Sequence, residues 1–470
     1  MHHLRLIFFI PIIFFFTYSC DDGFEDYSTN SDHRLTFSTD TISFDTIIST
    51  ISTSYRAFKV YNKNSDHLLI STIYLEKGEQ SEFKMNVDGQ AAVSLNNVEI
   101  RSNDSIFVLI NAKPAETGMN TPQNMTDYIV FVTNGVQQKV LLEASAQDAF
   151  LWTGIILDSD SVLSNEKPYV IYDSLVIEKS AHVQIPEGAI FYMHNHSEII
   201  VKGTLTAKGS LEKPILFRGD RLDNLIPDIP YDRVPGQWKG FRFDSDSYNN
   251  KLEYVYIRNG IHGLNCELSD PELLKLKLKN VVITNFKGIL IHSVNCNIVA
   301  ENCEFSNSQS ALLNMIGGNY SFTHCTFANY YPGNAAGWGR TDNMTLVFQN
   351  EYFEGEEKQY FPITKADFYN SIVWGSKEKS SSRILIKKSD ESDIAYYFEN
   401  CLIPIDEKAD WSSDWINQCI LNKNPEFKTL LIGESGKSEF IYDFGLTEKS
   451  PAVNAANRFI SETIPLDLKG

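Results

Sequence analysis

Asn280-Val-Val-Ile-Thr-Asn285, Asn302-Cys-Glu-Phe-Ser-Asn307 and His324-Cys-Thr-Phe-Ala-Asn329 are variants of one six-residue phrase, and their spacing decides the fold. The same phrase is legible in Tyr254-Val-Tyr-Ile-Arg-Asn259, Asn370-Ser-Ile-Val-Trp-Gly375 and Asn400-Cys-Leu-Ile-Pro-Ile405. Successive copies begin about 22 residues apart, or farther where a loop or a second coil intervenes. From Lys167 onward short β-branched segments alternate with Gly and Asn, and helical periodicity is nearly absent. This texture predicts coils stacked as parallel strands about 4.8 Å apart.

Stacking assigns roles to the repeated residues. Asn259, Asn285, Asn307 and Asn329 fall at one coil position, where Asn tolerates a left-handed turn and its amide can bond the amide of the next coil. They are expected to form a structural ladder. Cys303, Cys325 and Cys401 share an inward position. In-register side chains about 4.8 Å apart exceed the roughly 3.8 Å Cβ separation that a disulfide prefers, which predicts buried free thiols there. Cys266 and Cys296, each following an Asn, are the better candidates for pairing, and the pairing of Cys419 is open.

The phrase resembles the coil of right-handed parallel β-helix proteins, and the whole chain resembles bacterial surface lipoproteins of that repeat family. Residues 1–19 read as a signal peptide: His2, His3 and Arg5, then the apolar run Leu6 to Phe16, then Thr17-Tyr18-Ser19 before Cys20. A helix of that run rises about 16 Å, short of the roughly 30 Å hydrocarbon core of a bilayer. A small residue directly before cysteine resembles the lipobox, which implies lipidation at Cys20 and an outer-membrane anchor facing the cell exterior. Residues 20–34, beginning Asp21-Asp22-Gly23-Phe24-Glu25-Asp26 after the cysteine, read as a flexible acidic tether.

Residues 35–148 carry short alternating runs such as Ala57-Phe58-Lys59-Val60-Tyr61 and Tyr128-Ile129-Val130-Phe131-Val132, the pattern of a β-sandwich. Phe58-Lys59-Val60-Tyr61-Asn62-Lys63-Asn64 and Phe83-Lys84-Met85-Asn86-Val87 resemble Ig-like modules of the abnormal-spindle and hydin type, which implies a spacer or docking platform. The expected organisation is therefore all-β: an Ig-like sandwich over 35–148, a right-handed parallel β-helix over 150–405 and a capping segment over 406–470.

A formal charge of −19 argues against nucleic acid or anionic lipid surfaces as partners, because phosphate binding depends on clustered Lys and Arg. No motif calls for a cofactor. The best catalytic candidates are Asp244 and Asp246, which strand alternation after Phe241-Arg242-Phe243 would place on one face, near Asp220 and Arg221. His194, His196 and Glu198 alternate in the same way and are weak metal candidates. The Gly-rich insertion Tyr330 to Arg340 carries Tyr330, Tyr331, Trp338 and Arg340, an aromatic and polar set suited to stacking on sugar rings. The leading expectation is a non-enzymatic surface lipoprotein binding glycan or protein. The alternatives are a β-helix polysaccharide lyase or hydrolase, and a purely structural surface component.

Overall fold

The computed structural model describes residues 27–226, 229–333, 344–376, 383–405, 413–431 and 440–470. The chain is all-β and divides into two units, the second containing residues 145–470. Among the described residues no helix is long and apolar enough to cross a membrane. Cys20 and residues 1–19, read from sequence as a signal peptide, lie outside the described residues.

The N-terminal part builds two five-stranded sheets. One has the order Leu35–Phe37, Arg56–Asn62, Ser105–Ala112, Phe83–Val87, Gln90–Ala91, all antiparallel. The other contains Thr41–Ile48, Val136–Gln147, Gln123–Thr133, Leu68–Leu75 and Ser94–Ile100. Strict alternation drives the layering: in Arg56–Asn62 every second residue is buried, and Phe58, Val60, Val108, Ile110, Ile129 and Phe131 form the core between sheets.

From Phe150 the pairing becomes parallel and the strands sort into three faces of a β-helix. Face A stacks Ile190–Met193, Ile215–Gly219, Val255–Arg258, Val282–Phe286, Glu304–Ser308, Thr326–Asn329 and Ile372–Gly375 in register. Face B stacks Glu198–Val201, Gly240–Phe243, Leu264–Cys266, Ile291–Val294, Ala311–Ile316, Met344–Gln349 and Ile384–Lys387. Face C is a ten-stranded parallel sheet from Ser161–Val162 to Ile416–Asn417. Rungs at Ile416–Asn417 and Ile420–Leu421 extend the stack beyond residue 405.

The six-residue phrase is face A with its two corners. Its inward positions fill the interior: Phe191, Phe217, Ile257, Ile283, Phe305 and Phe327 lie in one register column and are fully buried. Phe191 and Phe217 stack at 4.5 Å, Phe305 and Phe327 at 5.2 Å, close to the coil repeat.

The ladder is a correction to the sequence reading. Asn259, Asn285 and Asn307 do take left-handed backbone, with φ of 70°, 66° and 55°. Their amides do not bond one another: Asn307 Oδ1 accepts from the Tyr330 backbone N–H, Asn329 Oδ1 from that of Ser308, and Asn259 Nδ2 donates to the Asp232 carbonyl. The amide ladder runs instead along the first residue of the phrase. Tyr254, Asn280, Asn302, His324, Asn370 and Asn400 are all left-handed, with φ between 49° and 56°. Asn302 Nδ2 donates to Asn280 Oδ1 at 2.5 Å, and Asn370 Nδ2 lies 3.2 Å from His324 Nε2. A left-handed corner needs a residue whose side chain offsets the strain locally, and Asn does so by bonding its neighbours.

Residues 455–469 run back along this corner. Asn400 Nδ2 donates to the Ala455 carbonyl, Asn370 Oδ1 accepts from the Asn457 N–H at 2.6 Å, and Asn302 Nδ2 donates to the Leu466 carbonyl. A hairpin of Phe427–Leu431 and Ile441–Leu446 covers the outer side of face A, where Ala328, Tyr330, Trp374 and Leu402 pack with Phe427 and Phe444.

Cys303, Cys325 and Cys401 are buried free thiols. So are Cys266 and Cys296, against the expectation that they pair, while Cys419 is a half-exposed free thiol. Cys266 ends the Leu264–Cys266 strand on face B, and Cys296 sits just after the Ile291–Val294 strand, where its thiol contacts the Glu267 and Val294 carbonyls.

Candidate functional site

The carboxylates singled out from sequence do not converge. The strand Gly240–Phe243 stops before Asp244, so the expected alternation through Asp246 is interrupted by the corner between faces B and C. Asp244 is held by Arg242 Nη1 at 2.9 Å, with burial raising its pKa, while Asp246 turns outward to Lys179 at 2.5 Å. Asp220 follows a face-A strand and lies at the other corner, where its Oδ2 is 2.6 Å from His194 Nδ1. A four-residue strand, roughly 13 Å, separates the two corners. Arg221 forms a bidentate pair with Asp223 and lies over the Tyr231 ring at 4.0 Å.

The histidine set breaks for the same reason. His194 ends face A, His196 is in a left-handed turn with φ 64°, and Glu198 begins face B, where it is drawn to Arg242 at 3.6 Å. Among the described residues no three His, Cys, Asp or Glu side chains gather as a metal site. The aromatic insertion is also corrected: Tyr330 and Tyr331 are only 6% and 3% exposed, so neither offers a ring to a ligand. Tyr330 instead stacks on Phe444 beneath the hairpin. Trp338 and Arg340 lie outside the described residues.

A candidate site lies on the outer side of face A. Alternation sends Val255 and Ile257 inward and Arg258 outward, and the register aligns Arg258 with Thr284 and Thr284 with Ser306. Two residues back along the strand, the next outward line carries Glu304. The wall on one side is the Tyr231–Arg233 turn, part of the long insertion between faces A and B. Gln237 ties this turn through the Tyr231 and Val234 carbonyls, and the fully buried Trp238 donates Nε1 to the Arg258 carbonyl. The opposite wall is Phe440, Ile441, Tyr442 and Phe444 from the hairpin. Between them is a cavity of about 260 Å³, lined also by Asn285, Asn307 and Pro332.

Its electrostatics are unusual for so acidic a chain. Asp232 sits between two guanidinium groups, 3.1 Å from Arg218 Nη1 and 3.1 Å from Arg258 Nη1. Burial pulls the Arg258 pKa below its ordinary value. Glu304 accepts from Ser306 Oγ at 2.9 Å, and Ser306 Oγ lies 2.7 Å from Thr284 Oγ1. Burial pushes the Glu304 carboxyl up to about 7, so at neutrality about half of it carries a proton and can donate as well as accept. Two donors in the lining, Arg258 Nε and Asn285 Nδ2, are buried without a partner among the described residues. Buried donors left unpaired are costly, and a polar ligand group would satisfy them.

No family model matches the chain. No curated protein matches it either. Among solved structures, a family 123 glycoside hydrolase from Clostridium perfringens, described for glycolipid glycan hydrolysis, aligns at 11% identity with a TM-score of 0.17. That alignment covers 24% of this chain and 26% of that one, so the chain spans about a quarter of that protein's length. Two structures of the catalytic domain of GH87 alpha-1,3-glucanase, in complex with tetrasaccharides, align at 10% identity. They cover 78% and 75% of this chain and 87% and 82% of those chains, with TM-scores of 0.20 and 0.16. Superpositions this loose carry no argument about function.

Sequence reading missed Arg258, Asp232 and Glu304. Arg258 and Glu304 are polar residues at outward positions of the aligned phrase, a signal that was present. Asp232 comes from an insertion and the hairpin from residues more than a hundred positions later, which no local pattern joins.

Proposed function

We propose that this chain is a non-enzymatic, lipid-anchored cell-surface protein whose β-helix binds glycan in the face-A cavity. The observation that carries the reading is the pair of buried, unpartnered donors, Arg258 Nε and Asn285 Nδ2, in a cavity that also offers hydroxyl, amide and aromatic groups. Thr284 suits a sugar hydroxyl, and Tyr442 provides a ring face. The cavity replaces the insertion at Tyr330 and Tyr331 as the binding surface, since those rings are buried. The surface location rests on the lipobox-like Cys20.

A second reading, a polysaccharide hydrolase or lyase, is favoured by one observation: the Glu304 carboxyl is pushed up to about 7, so a large share of it carries at neutrality the proton that a general acid needs. Incubating the soluble body with a panel of neutral and acidic polysaccharides separates the two. Retention without cleavage is the expected result. New reducing or unsaturated ends would overturn the binding-only reading, and neither retention nor cleavage would overturn glycan recognition.

A further inference from the structure

We propose that the face-A cavity takes the carboxylate of an acidic sugar residue, a uronic acid, with Arg258 and Asn285 as its donors and the Glu304 carboxyl as a third. This rests on the glycan reading above and names the ligand class within it.

Four features point to an anionic sugar. Of the three buried lining atoms without a hydrogen bond, Asp232 Oδ1 is ion-paired with Arg218 Nη1, which leaves the donors Arg258 Nε and Asn285 Nδ2, so the missing partner is an acceptor. The charged lining is Arg233, Arg258, Asp232 and Glu304, with Arg218 bonded to Asp232 from the neighbouring rung, and Glu304 is about half protonated at neutrality. The cavity therefore carries a local positive excess in a chain of formal charge −19, which favours one negative group. A carboxylate accepts from a guanidinium through charge-assisted hydrogen bonds stronger than those a sugar hydroxyl makes. Finally, about 260 Å³ lies below the roughly 300–1,000 Å³ of pockets that enclose a drug-sized ligand, so it fits one ring or a terminal unit.

Glu304 makes the site proton-linked. Facing it are the Ser306 and Thr284 hydroxyls on face A and the Asp443–Lys469 ion pair at 2.9 Å from the hairpin and the tail. Across the cavity are Asp232, Arg233 and Arg258. A protonated Glu304 donates to a bound carboxylate, whereas an ionised one repels it. Affinity for an acidic sugar should fall as pH rises through the neutral range.

The test titrates the soluble body with glucuronate and galacturonate, with glucose and galactose as uncharged counterparts, and with acetate and sulfate as bare anions, by calorimetry or NMR at pH 6 and pH 8.5. Acidic sugars should bind about tenfold or more tightly than their neutral counterparts, and more weakly at the higher pH. Asn285→Asp keeps a residue that tolerates the left-handed backbone while replacing the donor by a negative charge, and should abolish binding. Glu304→Gln should bind with no pH dependence across this range. Equal binding of acidic and neutral sugars would overturn the carboxylate assignment and leave the glycan reading standing. Acetate or sulfate binding as well as the acidic sugars shows an adventitious anion site and overturns it too. Failure of every small probe, while polysaccharide is still retained, overturns this inference alone.

Discussion

Replacing Glu304 by Gln removes one ionisable group from the outer side of face A without changing its shape. In the folded protein this carboxyl titrates near 7, against 4.5 for the unperturbed group. A carboxyl whose pKa is raised on folding holds more protons in the native state than in the unfolded one between those values. Stability therefore falls as pH rises through that window, because the unfolded chain ionises first. At 1.36 kcal/mol per unit, integrating between pH 5 and pH 8 gives a loss of roughly 2–3 kcal/mol attributable to this residue. The Gln variant stays neutral throughout and should escape that loss. Urea unfolding of wild type and Glu304→Gln at both pH values gives a double difference in which the other titrating groups cancel. The variant should gain roughly 2–3 kcal/mol over wild type on going from pH 5 to pH 8. A double difference below about 0.5 kcal/mol, or of opposite sign, would mean that Glu304 is solvated, and the proton-linked site would fall with it.

Asn302→Ala places Ala in left-handed backbone at φ 55° and removes bonds to Asn280 and Leu466, so it should lose about 2–4 kcal/mol in chemical unfolding. A loss within experimental error would show that the corner amides are dispensable. Denatured, unreduced protein should alkylate at Cys266, Cys296, Cys303, Cys325, Cys401 and Cys419, while in the native state Cys419 alone reacts quickly. A peptide linking Cys266 to Cys296 in mass spectrometry contradicts this. Phe444→Ala opens a hole in the cluster with Tyr330 and Phe427, worth about 3–5 kcal/mol locally. Hydrogen exchange should quicken over Phe427–Leu431 and Ile441–Leu446 and stay slow in Val282–Phe286, and uniform quickening would contradict a loss confined to the hairpin.

The coil was legible because stacking imposes one residue type per position on many coils at once. Phe305 and Phe327, or Cys303 and Cys325, betray an inward column even without an alignment. Which Asn column makes the ladder was not legible, since both ends of the phrase are rich in Asn and both corners are left-handed. The difference lies in what each amide meets: backbone donors and acceptors at Asn307 and Asn329, a neighbouring side chain at Asn302. The carboxylate and histidine sets were misplaced by one physical fact. Strands here are about four residues long, so alternation does not survive past a corner, and Asp244 with Asp246, or His194 with Glu198, straddle one. The cavity could not be read because its walls come from three distant segments.

The bonds from residues 455–466 to Asn400, Asn370 and Asn302 tie the last two of these coils, which are neighbours, to the Asn302 coil, which touches neither, and Leu466 is 164 positions from its partner. A stack in which each coil senses only its neighbours can lose order gradually from either end. Here the last rungs cannot loosen without unfastening a thread that also secures the middle, so end and middle share their free energy. The cooperativity of the β-helix is thus set in part by a segment that belongs to no coil.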